Sequence, residues 1–419
     1  MRTWTAPELP LLPGRGHAPR LFNTATERLE HPPIEDERAT LYVCGVTPYD
    51  ATHLGHAATY LAFDIMLRAW RDAGIETVYA QNITDIDDPL LERANATGVD
   101  WRALADEQIA LFRSDMYRLG MIPPEQYTAV TECIDEIADA VHRLRARGLA
   151  YEMPSPEAQG EDLYFDIRGA ERDTQWRLGD VAPYDRQLME LLSAERGGDP
   201  ERLGKRDPLD PLLWRAAREG EPSWPSVVGE GRPGWHIECS VIAAKALGSA
   251  FTVQGGGADL VFPHHEFSAA HGTALSGTPF ARIYCHAGLV SYQGHKMSKS
   301  RGNLVFVSKL LENGAEAAAI RLALLSHHYR EEWEWFDEDL AFAHRRLEAW
   351  RNGLSKRGEP PMSSSEVLAQ LRKAIANDLD TPVMLAILDA AFDRGVDDSG
   401  LLADAVHSLL GIDLDAGDR

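Results

Sequence analysis

The stretch TLYVCGVTPYDATHLGH, residues 40–56, decides how this chain is read. It opens on a β-rich run, 40–44, that breaks at Gly45 and Pro48. A helical pattern then covers 55–73, where Leu61, Ile65 and Ala69 share one face and Gly74 supplies a stop. A second β-rich run, TVYAQNI at 77–83, closes in a polar turn over 84–89. Strand, helix, strand at this length is a βαβ unit with a right-handed crossover. Ligands of open parallel sheets sit beyond the carboxyl ends of the strands, which places Cys44, Thr47, His53, His56, Asn82 and Thr84 around one crevice.

Outward from that unit, apolar spacing is helical over 101–149, and 151–184 mixes short β-like pieces with polar turns, as an insertion into the sheet domain does. ERGGDP, 195–200, reads as a loop. A second α/β half follows: a helix near 235–247, a strand near 250–254, a glycine turn at 255–257, a helix after Pro263, a strand near 281–285 and a polar loop over 291–303. Beyond Ala315 the pattern is helical, interrupted at 353–365 and at Thr381 and Pro382. Trp333 and Trp335 are expected where a helical hairpin turns, as anchors of that region. The expected organisation is α/β: an arm over 1–38, the first half of a catalytic domain over 39–120, an insertion over 121–204, the second half over 205–310 and an α-helical domain over 311–419.

The 419 residues carry 42 basic and 65 acidic side chains, a net charge of −23, which argues against a large nucleic-acid footprint. No apolar run approaches the ~18 residues of a membrane span. Prolines at 7, 10, 13 and 19 break up the amino terminus, so no secretory signal is expected and the chain should be cytoplasmic. Cys44, Cys133, Cys239 and Cys285 lie far apart with no Cys-x-x-Cys pair, the usage of core thiols, ligands or nucleophiles in a reducing compartment. Cys133 and Cys285 are read as buried thiols, and 85–88 as a solvated acidic turn.

Three groups of residues carry chemistry. His53-Leu54-Gly55-His56 joins a strand end to a helix, where unpaired N–H groups and the helix dipole favour a polyphosphate. Lys296-Met297-Ser298-Lys299-Ser300 lies in a glycine-flanked loop, and its two lysines can close over a triphosphate and neutralise a leaving pyrophosphate. Cys44, Cys239 and His264 come from one edge of the sheet and offer two thiolates and an imidazole, the donor set of a zinc site with an open position. Spacing alone cannot show this, and buried apolar core is the default reading of these cysteines.

The first two groups, in this order, resemble the ATP-binding signatures of class I aminoacyl-tRNA synthetases. YVCGVTPYDATHLGH (42–56), GRPGWHIECS (231–240), GGGADLVFPHHE (255–266) and KMSKSRGN (296–303) are similar to the corresponding blocks of cysteinyl-tRNA synthetases. The resemblance implies a Rossmann nucleotidylyl-transferase domain, a zinc ion on Cys44, Cys239 and His264 that takes the substrate thiol, and ATP accompanied by magnesium. It implies nucleotide chemistry at His53, His56, Lys296 and Lys299. Gly45, Val46, Thr47, Thr59, Asn82, Ile83, Thr84, Trp235, Gly257, Ala258, Asp259 and Val290 would wall the cysteinyl-adenylate.

Two departures point to one branch. Ser268 stands where the synthetases place a fourth zinc ligand, a glutamate, and the helical region ends with no room expected for an anticodon-binding domain. With the amino-terminal sequence and ERGGDP, these features are similar to the mycothiol ligase branch, which joins L-cysteine to the amino group of glucosaminyl-inositol. Implied partners are therefore small molecules, without tRNA or membrane, and a monomer. The alternatives are a cysteinyl-tRNA synthetase with a shortened carboxyl domain and a silent synthetase-like regulator. Which group takes the proton of the attacking amine stays open, with Asp259 and His236 both eligible.

Overall fold

Alternation along the central strands divides the interior into two cores. Leu41 and Val43 face one and Tyr42 and Cys44 the other, because successive side chains of a strand point to opposite sides. A sheet buried on both faces needs helices on both, and that is the arrangement in the computed structural model, which describes residues 1–49, 52–297, 301–356 and 359–414.

The sheet has five parallel strands, in the spatial order Ala281–Ala287, Phe251–Gly257, Arg38–Val43, Glu76–Ile83, Gln126–Ala129. Helix Leu54–Asp72 covers one face; Trp235–Leu247 and Ile134–Ala146 cover the other. The chain leaves the central strand Arg38–Val43 in one direction, then returns to build Phe251–Gly257 on its other side. This reversal opens a crevice at the carboxyl ends of those two strands, the general ligand position of the doubly wound fold.

A four-stranded antiparallel sheet, in the order Ala150–Pro154, Glu161–Phe165, Leu212–Ala216, Gly231–Pro233, interrupts the parallel sheet. Its extent differs from the composition-based span of 121–204. Gln126–Ala129 from that span belongs to the parallel sheet, and the inserted strands continue to Pro233. Four residues of edge strand between helices Trp101–Arg118 and Ile134–Ala146 leave little mark on a helical pattern.

The glycines at 255–257 also differ from expectation, forming strand rather than turn. They are glycines for want of space: a Cβ on Gly255 would lie 2.5 Å from the Phe63 ring, and one on Gly256 2.8 Å from His265. Trp333–Glu334 is likewise a short strand, paired in parallel with Val290–Tyr292. Helices Ala317–Leu325, Asp337–Gly353, Ser364–Ile375, Thr381–Arg394 and Ser399–Leu410 complete the chain. No helix among the described residues is long and apolar enough to cross a membrane.

Candidate active site

Tight backbone contact builds the floor of the crevice. A Cβ on Gly45 would fall 1.6 Å from the carbonyl oxygen of Asn82, so only glycine lets the two strand ends approach. Asn82 Oδ1 accepts from Gly45 N and from the Tyr42 hydroxyl, both at 2.9 Å, while Thr84 N donates to Val46 O. The Thr47 and Thr84 hydroxyls then meet at 2.9 Å, and Thr47 Oγ1 donates to Asp87 at 3.1 Å. Burial pushes the Asp87 carboxyl up to about 7, against Arg232 and the Thr47 hydrogen bond.

The acidic run over 85–88, expected in solvent, is instead tied down. Asp85 accepts from Thr131 N and Oγ1, and Asp88 pairs with Arg232. A turn directly after a buried strand carries the Asp85 carboxylate into the interior, where it needs partners, while Asp88 stays exposed beside Arg232.

His53 caps helix Leu54–Asp72, its Nδ1 accepting from Gly55 N at 3.1 Å. Its ring stacks on His56 with centroids 3.7 Å apart. Burial, His56 and Lys296 hold His53 well below the usual histidine range, and burial with Lys296 brings His56 down to about 4. Both imidazoles are thus neutral near pH 7, able to donate a hydrogen bond but carrying no charge. Buried Nδ1 of His56 has no partner among the described residues. Across the crevice Lys296 Nζ lies 2.8 Å from Asp259 Oδ2, which joins two of the expected nucleotide residues. Thr59 Oγ1 donates to Gly55 O, and Val290 is buried at the head of the strand that pairs with Trp333. Lys299, with Ser298 and Ser300, lies outside the described residues.

Cys44, Cys239 and His264 converge from the central strand end, the helix Trp235–Leu247 and the segment Val261–His265. Their donor atoms lie within 4.8 Å of one another, with the two sulfurs 3.7 Å apart. Among the described residues, no other group of three histidine, cysteine or acidic side chains has the geometry to hold a metal. His264 Nδ1 meets His236 Nδ1 at 3.0 Å, and its buried Nε2 has no partner among the described residues. With the shared proton on His264 Nδ1, Nε2 presents a free lone pair, the tautomer a metal requires. Trp235 stacks on the same imidazole at 4.2 Å. Ser268 turns away, its hydroxyl donating to His236 O.

Several neighbours escaped the sequence reading. Cys44 Sγ is approached by Gln254 Nε2 at 3.4 Å and His265 Nε2 at 3.3 Å; His265 Nδ1 in turn meets His286 Nε2 at 2.8 Å. The available signal was the inward face of the strands Phe251–Gly257 and Ala281–Ala287, where polar residues at 254 and 286 break an apolar pattern.

Residues 30–345 match the family model of the class I tRNA synthetase (C) catalytic domain. The chain is 53% identical, over 99% of its length and 99% of the relative's, to the L-cysteine:1D-myo-inositol 2-amino-2-deoxy-alpha-D-glucopyranoside ligase of Clavibacter michiganensis subsp. michiganensis. The protein of the same name from Thermobispora bispora is 53% identical over 99% of this chain and 100% of its own length.

The chain belongs to this ligase family.

It is an ATP-dependent ligase on a class I synthetase catalytic domain. At the level of fold, the ligase superposes on Mycobacterium tuberculosis methionyl-tRNA synthetase in complex with methionyl-adenylate with a TM-score of 0.62, at 16% identity, over 89% of this chain and 88% of that one.

Proposed function

We propose that the ligase joins L-cysteine to the amino group of glucosaminyl-inositol through a cysteinyl-adenylate, releasing AMP and pyrophosphate, as a step of mycothiol biosynthesis. The observation that carries this reading is the position of the Cys44, Cys239 and His264 donor set in the same crevice as the nucleotide motifs, in a chain more than half identical to ligases of that name.

The donor set suits zinc. Two zinc–sulfur bonds of about 2.3 Å at a tetrahedral angle put their sulfurs about 3.8 Å apart, close to the observed separation. Bound there, zinc would take the cysteine thiol in preference to the serine hydroxyl, which supplies discrimination without an editing site. With the Ser268 hydroxyl committed to a carbonyl, three protein ligands leave a position for substrate.

Around that position this chain's residues bind and orient. Gly45, Val46, Asn82 and Ile83 bring backbone to the ligand, Thr47 and Thr84 offer hydroxyls, and Trp235 supplies a flat face. Thr59, Gly257, Ala258, Asp259 and Val290 complete the wall, where Asp259 can accept from the ribose hydroxyls. The cysteine carboxylate attacks the α-phosphorus and pyrophosphate leaves, with His53, His56, Lys296 and Lys299 stabilising charge on the phosphates and magnesium accompanying ATP. The sugar amine then attacks the acyl carbon and AMP departs. Positioning carries this chemistry, and no side chain needs to act as nucleophile.

The reading includes a monomeric, cytoplasmic enzyme that uses no tRNA. Its test is AMP release from ATP and cysteine with glucosaminyl-inositol or tRNA as acceptor. Turnover stimulated by the aminosugar is expected; cysteinylation of tRNA at an equal or greater rate overturns the assignment.

A further inference from the structure

The loop over 195–200, Glu-Arg-Gly-Gly-Asp-Pro, has no part in the chemistry above, yet it is fastened to the turn that organises it. Arg196 follows helix Arg186–Glu195, and its Nη1 donates to Asp259 O at 2.6 Å and to Phe262 O. These carbonyls lie near the two ends of one turn. One end carries Asp259, whose carboxylate pairs with Lys296. The other leads into His264, which has a ring nitrogen within 4.8 Å of the two thiols and an Nε2 without a partner among the described residues.

The rest of the loop holds Arg196 in place. Gly198 N donates to Ser193 O at 2.8 Å, and a Cβ on Gly198 would fall 2.2 Å from Ser193 Oγ, so the loop folds flat on the helix end. Asp199 anchors the far side to the inserted domain through Lys205 at 2.9 Å and the Tyr164 hydroxyl. A rigid connection thus runs from the antiparallel sheet to the turn between the nucleotide and thiol positions.

We propose that Arg196 is a positioning residue whose guanidinium fixes the span between Asp259 and His264, and thereby the separation of the nucleotide and thiol subsites. The proposal rests on the functional reading above. A planar guanidinium suits the task, because it can present a donor to two carbonyls at once in a fixed geometry. Removing it leaves both carbonyls short of a donor and lets the turn relax, and a small misplacement of reacting groups is costly in rate.

The test compares Arg196→Ala, Arg196→Lys and Arg186→Ala. The last removes the Arg186 pair with Asp207 at the far end of the same helix and serves as a measure of destabilisation alone. Cysteine-dependent ATP–pyrophosphate exchange, zinc content after dialysis and thermal midpoint are measured on each. In Arg196→Ala the KM for ATP should rise about tenfold or more and zinc retention should fall, with partial recovery in Arg196→Lys and on addition of millimolar guanidinium. Arg186→Ala should lower the midpoint without moving KM. Wild-type KM and zinc content in Arg196→Ala, or a KM that merely follows the midpoint and ignores guanidinium, overturns the proposal. Absence of exchange in the wild type would strike the functional reading instead, and zinc content would still test Arg196.

Discussion

His56 is half-buried and neutral, and its buried Nδ1 has no partner among the described residues, so the part proposed for it is donation of a hydrogen bond rather than of charge. An asparagine side chain places an amide nitrogen close to the position of Nδ1. Replacing His56 by Ala should therefore lower kcat/KM of ATP–pyrophosphate exchange by about 100-fold or more, the scale of one lost donor, and Asn should retain the larger share. Because its pKa is brought down to about 4, the wild-type rate should show no His56 titration near pH 6.5. A step of that kind which vanishes in His56→Asn would contradict the neutral-donor role. Lys299→Ala should raise the exchange barrier by ~2 to 4 kcal/mol with little change in folding. At this scale the sequence was most legible where a residue type has few uses: HLGH, the lysine pair and the two cysteines stand out by composition. Gln254 and His286 did not, since a polar residue on a buried strand announces itself only once its neighbours across the sheet are known.

Among elements, helices Leu54–Asp72 and Ser399–Leu410 are bound by a buried ionic junction. Asp64 accepts from Arg68 Nε at 2.8 Å and from Arg321, and its other oxygen accepts from Ile122 N. The guanidiniums continue to backbone carbonyls: Arg68 to His407, Ser408 and Gly120, Arg321 to Leu119 and Leu410. Burial alone would raise the Asp64 carboxyl, but Arg321 and Arg68 hold it below its usual range. Burial also brings Arg321 down to about 10. Replacing Asp64 by Asn leaves two buried cations without a counter-charge and should cost about 3 to 5 kcal/mol of stability, measured by denaturant unfolding. A loss below 1 kcal/mol would mean that solvent reaches the junction. Helix Leu54–Asp72 and the βαβ unit were readable because period and punctuation agreed there. The strands Gln126–Ala129 and Trp333–Glu334 were not, because short strands are stabilised by partners distant in sequence.

For the whole molecule, burial sets the response to acid. His53, His56, His236, His264, His265, His271 and His286 all have lowered pKa values, His236 and His286 to about 3, so each is neutral in the fold where the unfolded chain would bind a proton below about 6.5. Stability from these groups is lost as pH falls from about 6.5 toward 3. Asp87, Asp115, Glu238 and Glu266 act oppositely, since burial raises them, three of them to about 7, and their contribution is lost as pH rises from about 4 toward 7. His327 and His407 are lowered as well, and Asp85, Glu161 and Asp210 raised, so nine histidines stand against seven carboxyls among the described residues, and the thermal midpoint should be lower at pH 5 than at pH 7. A higher midpoint at pH 5 would reverse that balance.

The crossing of the chain over its own central strand also has a consequence for biosynthesis. Cys44 leaves the ribosome 195 residues ahead of Cys239, with the entire inserted sheet translated between them. A nascent chain halted within that sheet presents a lone thiol at the end of an uncovered strand, with neither the second sulfur nor the imidazole yet made. Capture of a metal by this donor set would consequently be a late event of maturation, and until then protection of Cys44 from oxidation would fall to the reducing power of the surrounding medium.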